Sequence, residues 1–327
     1  MAKAKPKDSM NLMRLMDAYD TDKECRDALE ALRWPEGVRC PRCDADKVYR
    51  AEPRKQFDCA LCGYQFSVTS GTIFNDSHLP LPSWFVATYL ICESKKGISA
   101  NQIKRTLGVS YKTAWYLCHR IRAAMKDATP EMLRGIIEFD ETYVGGKVRG
   151  RGAGFVKNKA IVVGAVERGG DIRIRVIKRR NKRAIQQFVK SVAHEDAEGF
   201  MTDEAYVYIG IGDADTPHET VRHKDEEWVR GDVHTNTVEG VWSLLKRSIV
   251  GSYHQLSAKH LPAYLDEISF RYNNRENAYL FRDTLTALIN AEPMPYKDLI
   301  KDKASLSTQY RRKRKAKVTK QQPDDRS

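Results

Sequence analysis

At 327 residues, with 41% hydrophobic and 30% charged side chains, the chain has the composition of an ordinary folded protein, which excludes wholesale disorder, a collagen-like fibre and a coiled-coil rod. At roughly 100 to 200 residues per domain it holds two or three folded units. Fifty-six Lys plus Arg against 43 Asp plus Glu leave a formal charge of +13, which points to a polyanionic partner.

Residues 9 to 33 favour helix, with Leu12, Leu15, Met16 and Tyr19 and then Ala28, Leu29 and Leu32 at helical spacings, ending at Trp34-Pro35-Glu36-Gly37. The start has basic residues but no apolar run behind them, and no stretch approaches 18 consecutive apolar residues, so no leader and no membrane span are expected. Cys40-Pro-Arg-Cys43 and Cys59-Ala-Leu-Cys62 follow, two C-x2-C pairs separated by fifteen residues. Each pair places two thiolates on one side of an ion, so the four sulfurs can close a tetrahedral shell around Zn2+. A shell closed by four cysteines is structural rather than catalytic. The odd total of seven cysteines and the scatter of Cys25, Cys92 and Cys118 argue against a disulfide scaffold and for a reducing cytoplasm. From Pro82 the pattern is helical again. The break at Leu107-Gly108-Val109-Ser110 divides two helices in the manner of a helix-turn-helix, with Ser110 available to cap the second.

Past Pro130 the texture becomes mixed. Residues 135 to 146 (GIIEFDETYVGG) read as a strand, 160 to 179 as two strands around a Gly-Gly turn, 181 to 195 as a helix, and Phe200-Met201-Thr202 as a short strand before Asp203. ETVRHKDEEWVRGDVH reads as a strand region and NTVEGVWSLLKRSIV as a helix. The sum is an α/β arrangement, a mixed sheet with helices on its faces. Asp140 lies inside an apolar strand, where a carboxylate wants a cation. Asp203 sits at a strand's carboxyl end, where open α/β sheets place their ligands. Glu239 falls in the first turn of the last helix, either in a capping box with Asn236 or facing the same way as Trp242 or Ser243 and Lys246. Three carboxylates converging from two strands and a helix can hold two Mg2+ or Mn2+ ions for displacement at phosphate. Glu141 and Glu204 adjoin the aspartates, and alternation along the strand turns Glu141 to the opposite face. The chain ends in a basic run, seven charges between Arg311 and Lys320, either a solvated end or a sequence-blind phosphate binder.

FDETYVGGK, MTDEAYVY and HTNTVEGVWSLLKRSIVGSYHQLSAKHLPAYLDEISFRYNNR, behind a zinc ribbon, resemble the insertion-sequence DDE transposases of the ISXO-like kind over residues 30 to 290. Together with the pattern above, this gives a helical leader at 1–37, a zinc ribbon at 38–75, a helix-turn-helix-like region at 80–128, a catalytic domain at 133–295, ribonuclease H-like as the resemblance implies, and a basic tail at 296–327. It implies a bacterial, cytoplasmic, nucleoid-associated enzyme, a homo-oligomer on DNA, that binds the terminal inverted repeats of its element, cuts strands and joins the ends to target DNA. Asp140, Asp203 and Glu239 match the acidic triad that would hold Mg2+ or Mn2+, and Cys40, Cys43, Cys59 and Cys62 the zinc ligands. Lys246 matches the basic residue seven positions after the last acid and is expected on DNA, as is Lys147 in its basic Gly-rich loop, while Arg271 and Arg275 either neutralise DNA phosphate or pair with acids. His234 and Asn236 belong to the motif as packing or capping residues. The rival readings are a zinc-ribbon and helix-turn-helix regulator without catalysis, and a metal-dependent nuclease without a joining step.

Overall fold

The computed structural model describes residues 10–145, 159–214, 216–221, 233–254 and 256–301. The expected contact at Lys147, most of the basic tail and residues 222–232 of the expected strand region lie outside them. Residues up to Pro293 form one compact unit. The second unit, from Met294, is described only through helix α10 (Tyr296–Ile300).

The N-terminal helical stretch is two helices, α1 (Leu12–Ala18) and α2 (Asp22–Arg33), because Thr21 opens a capping box with Glu24 and starts a new helix. Three short antiparallel strands follow, β1 (Val48–Ala51), β2 (Gln56–Cys59) and β3 (Gln65–Phe66). Their small core is Cys40, Phe57, Cys59 and Phe66, with Trp34 against it. Next come α3 (Leu81–Glu93), α4 (Ala100–Leu107) and α5 (Tyr111–Ala124). Gly108 ends α4 in the left-handed conformation at φ +65°, and Ser110 caps α5 by accepting from the Thr113 N–H.

The main sheet has the order β6-β5-β4-β7-β8, built from β4 (Ile136–Val144), β5 (Ala160–Glu167), β6 (Ile172–Ile177), β7 (Gly199–Asp203) and β8 (His218–Val221). β5 is antiparallel to β4 and β6 to β5, while β7 is parallel to β4 and β8 to β7. The carboxyl ends of β4, β6, β7 and β8 therefore share one edge. Helix α6 (Lys182–Val192) covers one face, packing Ile185 and Phe188 on Ile137, Phe139, Val163 and Phe200. Helices α7 (Asn236–Ser248) and α8 (Leu261–Asn273) cover the other, packing Val238, Trp242, Leu245 and Leu265 on Val162, Val166 and Ile172. The period of two along β4 decides this: Ile137 and Phe139 enter the α6 side, and Glu138 and Asp140 face α7. Helix α9 (Leu280–Asn290) returns to α2 and α3. Among the described residues no helix is long and apolar enough to cross a membrane.

Candidate active site and metal centres

The four cysteine sulfurs of the ribbon lie within 4.8 Å of one another. Cys40 and Cys62 are 3.7 Å apart and Cys43 and Cys59 3.5 Å. A zinc–sulfur bond of about 2.3 Å gives a tetrahedral edge of roughly 3.8 Å, so the set fits Zn2+ with no position left for substrate. The Cys62 backbone N–H directed at Cys59 helps to draw its thiol down to about 7, while Cys43, sharing protons with the other sulfurs, is pushed up to about 12, so the four thiols hold their protons as a set until a metal displaces them. The ribbon is bound to α2 by Arg33, which donates to the Val68 carbonyl, and by an Arg50–Glu30 ion pair.

The acids on the main sheet are set by register. The β4–β7 pairing aligns Ile136 with Gly199, Ile137 with Phe200 and Glu138 with Met201. Continued two residues, the same offset puts Asp203 opposite Asp140, and partners in neighbouring strands share a face. Asp140 is thus beside Asp203, on the side covered by α7. The Trp242 indole Nε1 donates to Asp140 Oδ2 at 2.8 Å. The same ring lies over Gly164, the β5 partner of Asp140, where a Cβ would come within 2.6 Å of it. The Asp140 carboxyl is pushed up to about 7, by burial first and then by the charges of Glu141 and Asp203, against the lowering by the Glu141 backbone N–H and the indole. Asp203 Oδ1 accepts from the Ala205 N–H. An all-oxygen pair that repels itself and is partly desolvated fits a hard divalent cation.

Glu239 is exposed on the first turn of α7, with the Thr235 hydroxyl 3.4 Å from one of its oxygens. It does not join the aspartates in a tight cluster: among the described residues only the four cysteines bring their ligand atoms all within 4.8 Å. Ligands spread around two ions about 3.5 to 4 Å apart do not need that spacing. The capping box expected at Asn236 is absent. Thr235 is the N-cap and makes no side-chain cap bond. Glu138, fully buried, takes its place from β4: it accepts from the Thr237 N–H and hydroxyl, each at 2.8 Å, from the Val238 N–H at 3.0 Å and from Arg168 Nε at 2.8 Å. A carboxylate at the positive end of the helix dipole is well placed. The His234 ring sits 3.2 Å from the same carboxylate, and Arg168 donates to the His234 carbonyl. Glu138 is the residue that sequence reasoning missed; its one signal is a second acid, two positions before Asp140, in an otherwise apolar strand.

With Val238 held at Glu138 and Trp242 at Asp140, α7 runs along β4 towards the sheet's carboxyl edge. Lys246 lies one turn further on and is exposed. One expected DNA contact is corrected, and a second is an exposed side chain that also bonds within the protein. Arg271 is 8% exposed and pairs with the fully buried Glu267, beside the Tyr253 hydroxyl, so its charge is committed inside the protein. Arg275 is exposed, but it donates to the Gly169 and Gly170 carbonyls and lies over the Tyr272 ring. That turn joins β5 to β6 at the edge where β4 begins, away from the end of β7.

Residues 132–273 match the description "ISXO2-like transposase domain", and residues 20–65 match "transposase zinc-ribbon domain". A Halobacterium salinarum protein, named as an uncharacterized protein in transposable element ISH50, is 30% identical over 283 residues, covering 79% of this chain and 93% of that protein.

Proposed function

Because the chain belongs to the ISXO2-like transposase family, with a transposase zinc ribbon ahead of the catalytic-type domain, we propose that it binds the inverted repeats at the ends of an insertion sequence, cleaves them and transfers the ends into target DNA. The observation that carries this reading is the parallel β4–β7 register, whose last pair, Glu138 with Met201, lies two residues before Asp140 and Asp203, together with the Trp242 indole on Asp140. The strand order, third-second-first-fourth-fifth with the first three antiparallel, supports a ribonuclease H-like assignment for the sheet.

Asp140, Asp203 and Glu239 are the residues that would hold Mg2+ or Mn2+. Bound there, such ions would activate the attacking water or 3′-hydroxyl and stabilise the leaving oxygen. Trp242 orients the Asp140 carboxylate, and Glu138 fixes the helix that carries Glu239. Lys246 contacts the phosphate backbone beside the acids. DNA ends are held by the ribbon and by α4 and α5. The first turn of α5, with Tyr111 and Lys112, and Lys104 and Arg105 of α4 are exposed, while the second half of α5 is buried. A recognition helix reads bases with its amino-terminal residues.

The test is cleavage in vitro of a duplex carrying the repeat that flanks the gene, with Mg2+. Asp140→Asn and Asp203→Asn are expected to abolish cleavage while end binding persists. Cleavage retained by either variant removes that residue from the mechanism. Pre-cleaved ends separate a transposase, which joins them to target DNA, from a nuclease, which does not.

A further inference from the structure

Arg180 lies in the turn between β6 and Asn181, the N-cap of α6. Since β6 runs parallel to β4 and β7, this turn is on the sheet edge where Asp203 ends its strand. The Arg180 Nε donates to one oxygen of Glu141, and the Tyr208 hydroxyl donates to the other. The Glu141 side chain is only 5% exposed. It points to the α6 side of β4, away from Asp140, with both oxygens engaged, so it is not available to a metal. Arg180 differs: its side chain is 29% exposed. Its ion pair with Glu141 is made through Nε, and among the described residues its two terminal nitrogens make no hydrogen bond. Burial acts against its charge, but the hydrogen bond and charge of Glu141, then Tyr143 and Asp203, favour it.

A guanidinium anchored through Nε presents its terminal nitrogens as a planar fork. That fork matches two non-bridging oxygens of a phosphodiester, and an anchored side chain has less freedom to lose on binding. We propose that Arg180 binds a DNA phosphate at the acidic site, with Glu141 as the positioning residue that aims it. The proposal rests on the reading of the chain as a DNA-cleaving enzyme, and it gives the glutamate beside the first aspartate a task other than metal binding.

The experiment uses the full chain and a duplex carrying the flanking inverted repeat, comparing wild type, Arg180→Gln, Arg180→Lys and the exposed neighbour Arg179→Gln. Two quantities are read: the dependence of end affinity on salt, and the Mg2+-dependent cleavage rate at saturating DNA. Arg180→Gln is expected to lower the slope of log affinity against log salt by about 1. Its cleavage rate is expected to fall by about a hundredfold, the loss typical of one preorganised donor. Arg179→Gln is expected to cleave as wild type. Arg180→Lys keeps the charge and the pair with Glu141 but not the fork, so it is expected to retain the slope and recover no more than about a tenth of the rate. An Arg180→Gln protein with an unchanged slope and a rate within twofold of wild type overturns the proposal. If Arg180→Gln unfolds, a folded Arg180→Lys with full rate overturns it instead. If wild type binds the duplex without cleaving it, the enzymatic reading fails, and the salt slope alone decides whether Arg180 touches phosphate.

Discussion

Glu138 and Asp140 leave the same face of β4 and meet different surroundings. Glu138 is sealed from water and receives donors from Thr237, Val238 and Arg168, so its charge is satisfied by the protein. Asp140 has an indole, a backbone N–H and two neighbouring negative charges, so its charge calls for a cation from outside. Asp140 was legible as an acid in an apolar strand. The task of Glu138 was not, because its partners lie 30 to 100 positions away. The same distance effect hid the fate of Arg271. His119 gives a pH test at this scale. Its ring is packed against Trp115, His260 and Tyr264, and neither nitrogen has a hydrogen-bond partner. Burial pushes it down to about 3, with Arg122 and His260 adding to the fall. An unfolded histidine titrates near 6.5, so below that pH the unfolded chain binds a proton that the folded chain refuses. Stability therefore falls with pH, by about 2 kcal/mol at pH 5 from this group. Urea unfolding of His119→Phe between pH 7 and 5 is expected to show a correspondingly flatter dependence; identical dependences in the two proteins would assign the effect elsewhere.

At the scale of elements, the ribbon depends on its metal more than on its core. Four buried residues cannot stabilise three short strands alone. Chelation is expected to release one Zn2+ per chain. It should unfold the ribbon and leave the helical signal of the remainder, with end affinity reduced. Cys59→Ser is expected to act in the same way, and metal analysis, circular dichroism and end binding check it. A metal-free chain that keeps a protease-resistant ribbon would contradict this. Its cysteine spacing was fully legible, as were the break at Gly108, the Ser110 cap, and the strands around Gly169 and Gly170, because each is a local pattern. Helix α7 was legible as a helix, but not its start. Thr235 has no cap bond of its own because a strand residue supplies the acceptor.

For the whole molecule, the helices that follow the sheet bind it to the helices that precede it. Arg122 of α5 and Arg271 of α8 both reach Glu267, and all three are buried. Helix α9 packs on α2 and α3, and residues up to Pro293 form one compact unit. Glu267→Ala leaves two arginines buried without their partner and is expected to destabilise the fold by about 3 to 5 kcal/mol. Denaturant unfolding measures this, and a loss below about 1 kcal/mol, the range of an exposed pair, would show that water reaches the cluster. The sequence alone determined the kinds of elements, the zinc ligands, the strand that carries Asp140 and the resemblance to a transposase family, since caps, alternation and short spacings act within a few residues. Only the tertiary structure decided that β7 pairs with β4 in the register leading to Asp140 and Asp203, that Glu138 anchors α7, that Glu141 holds Arg180 and that Arg271 is internal. Those outcomes depend on which strands pair and which charges lose water together, and contacts between residues far apart in the chain have no local signature.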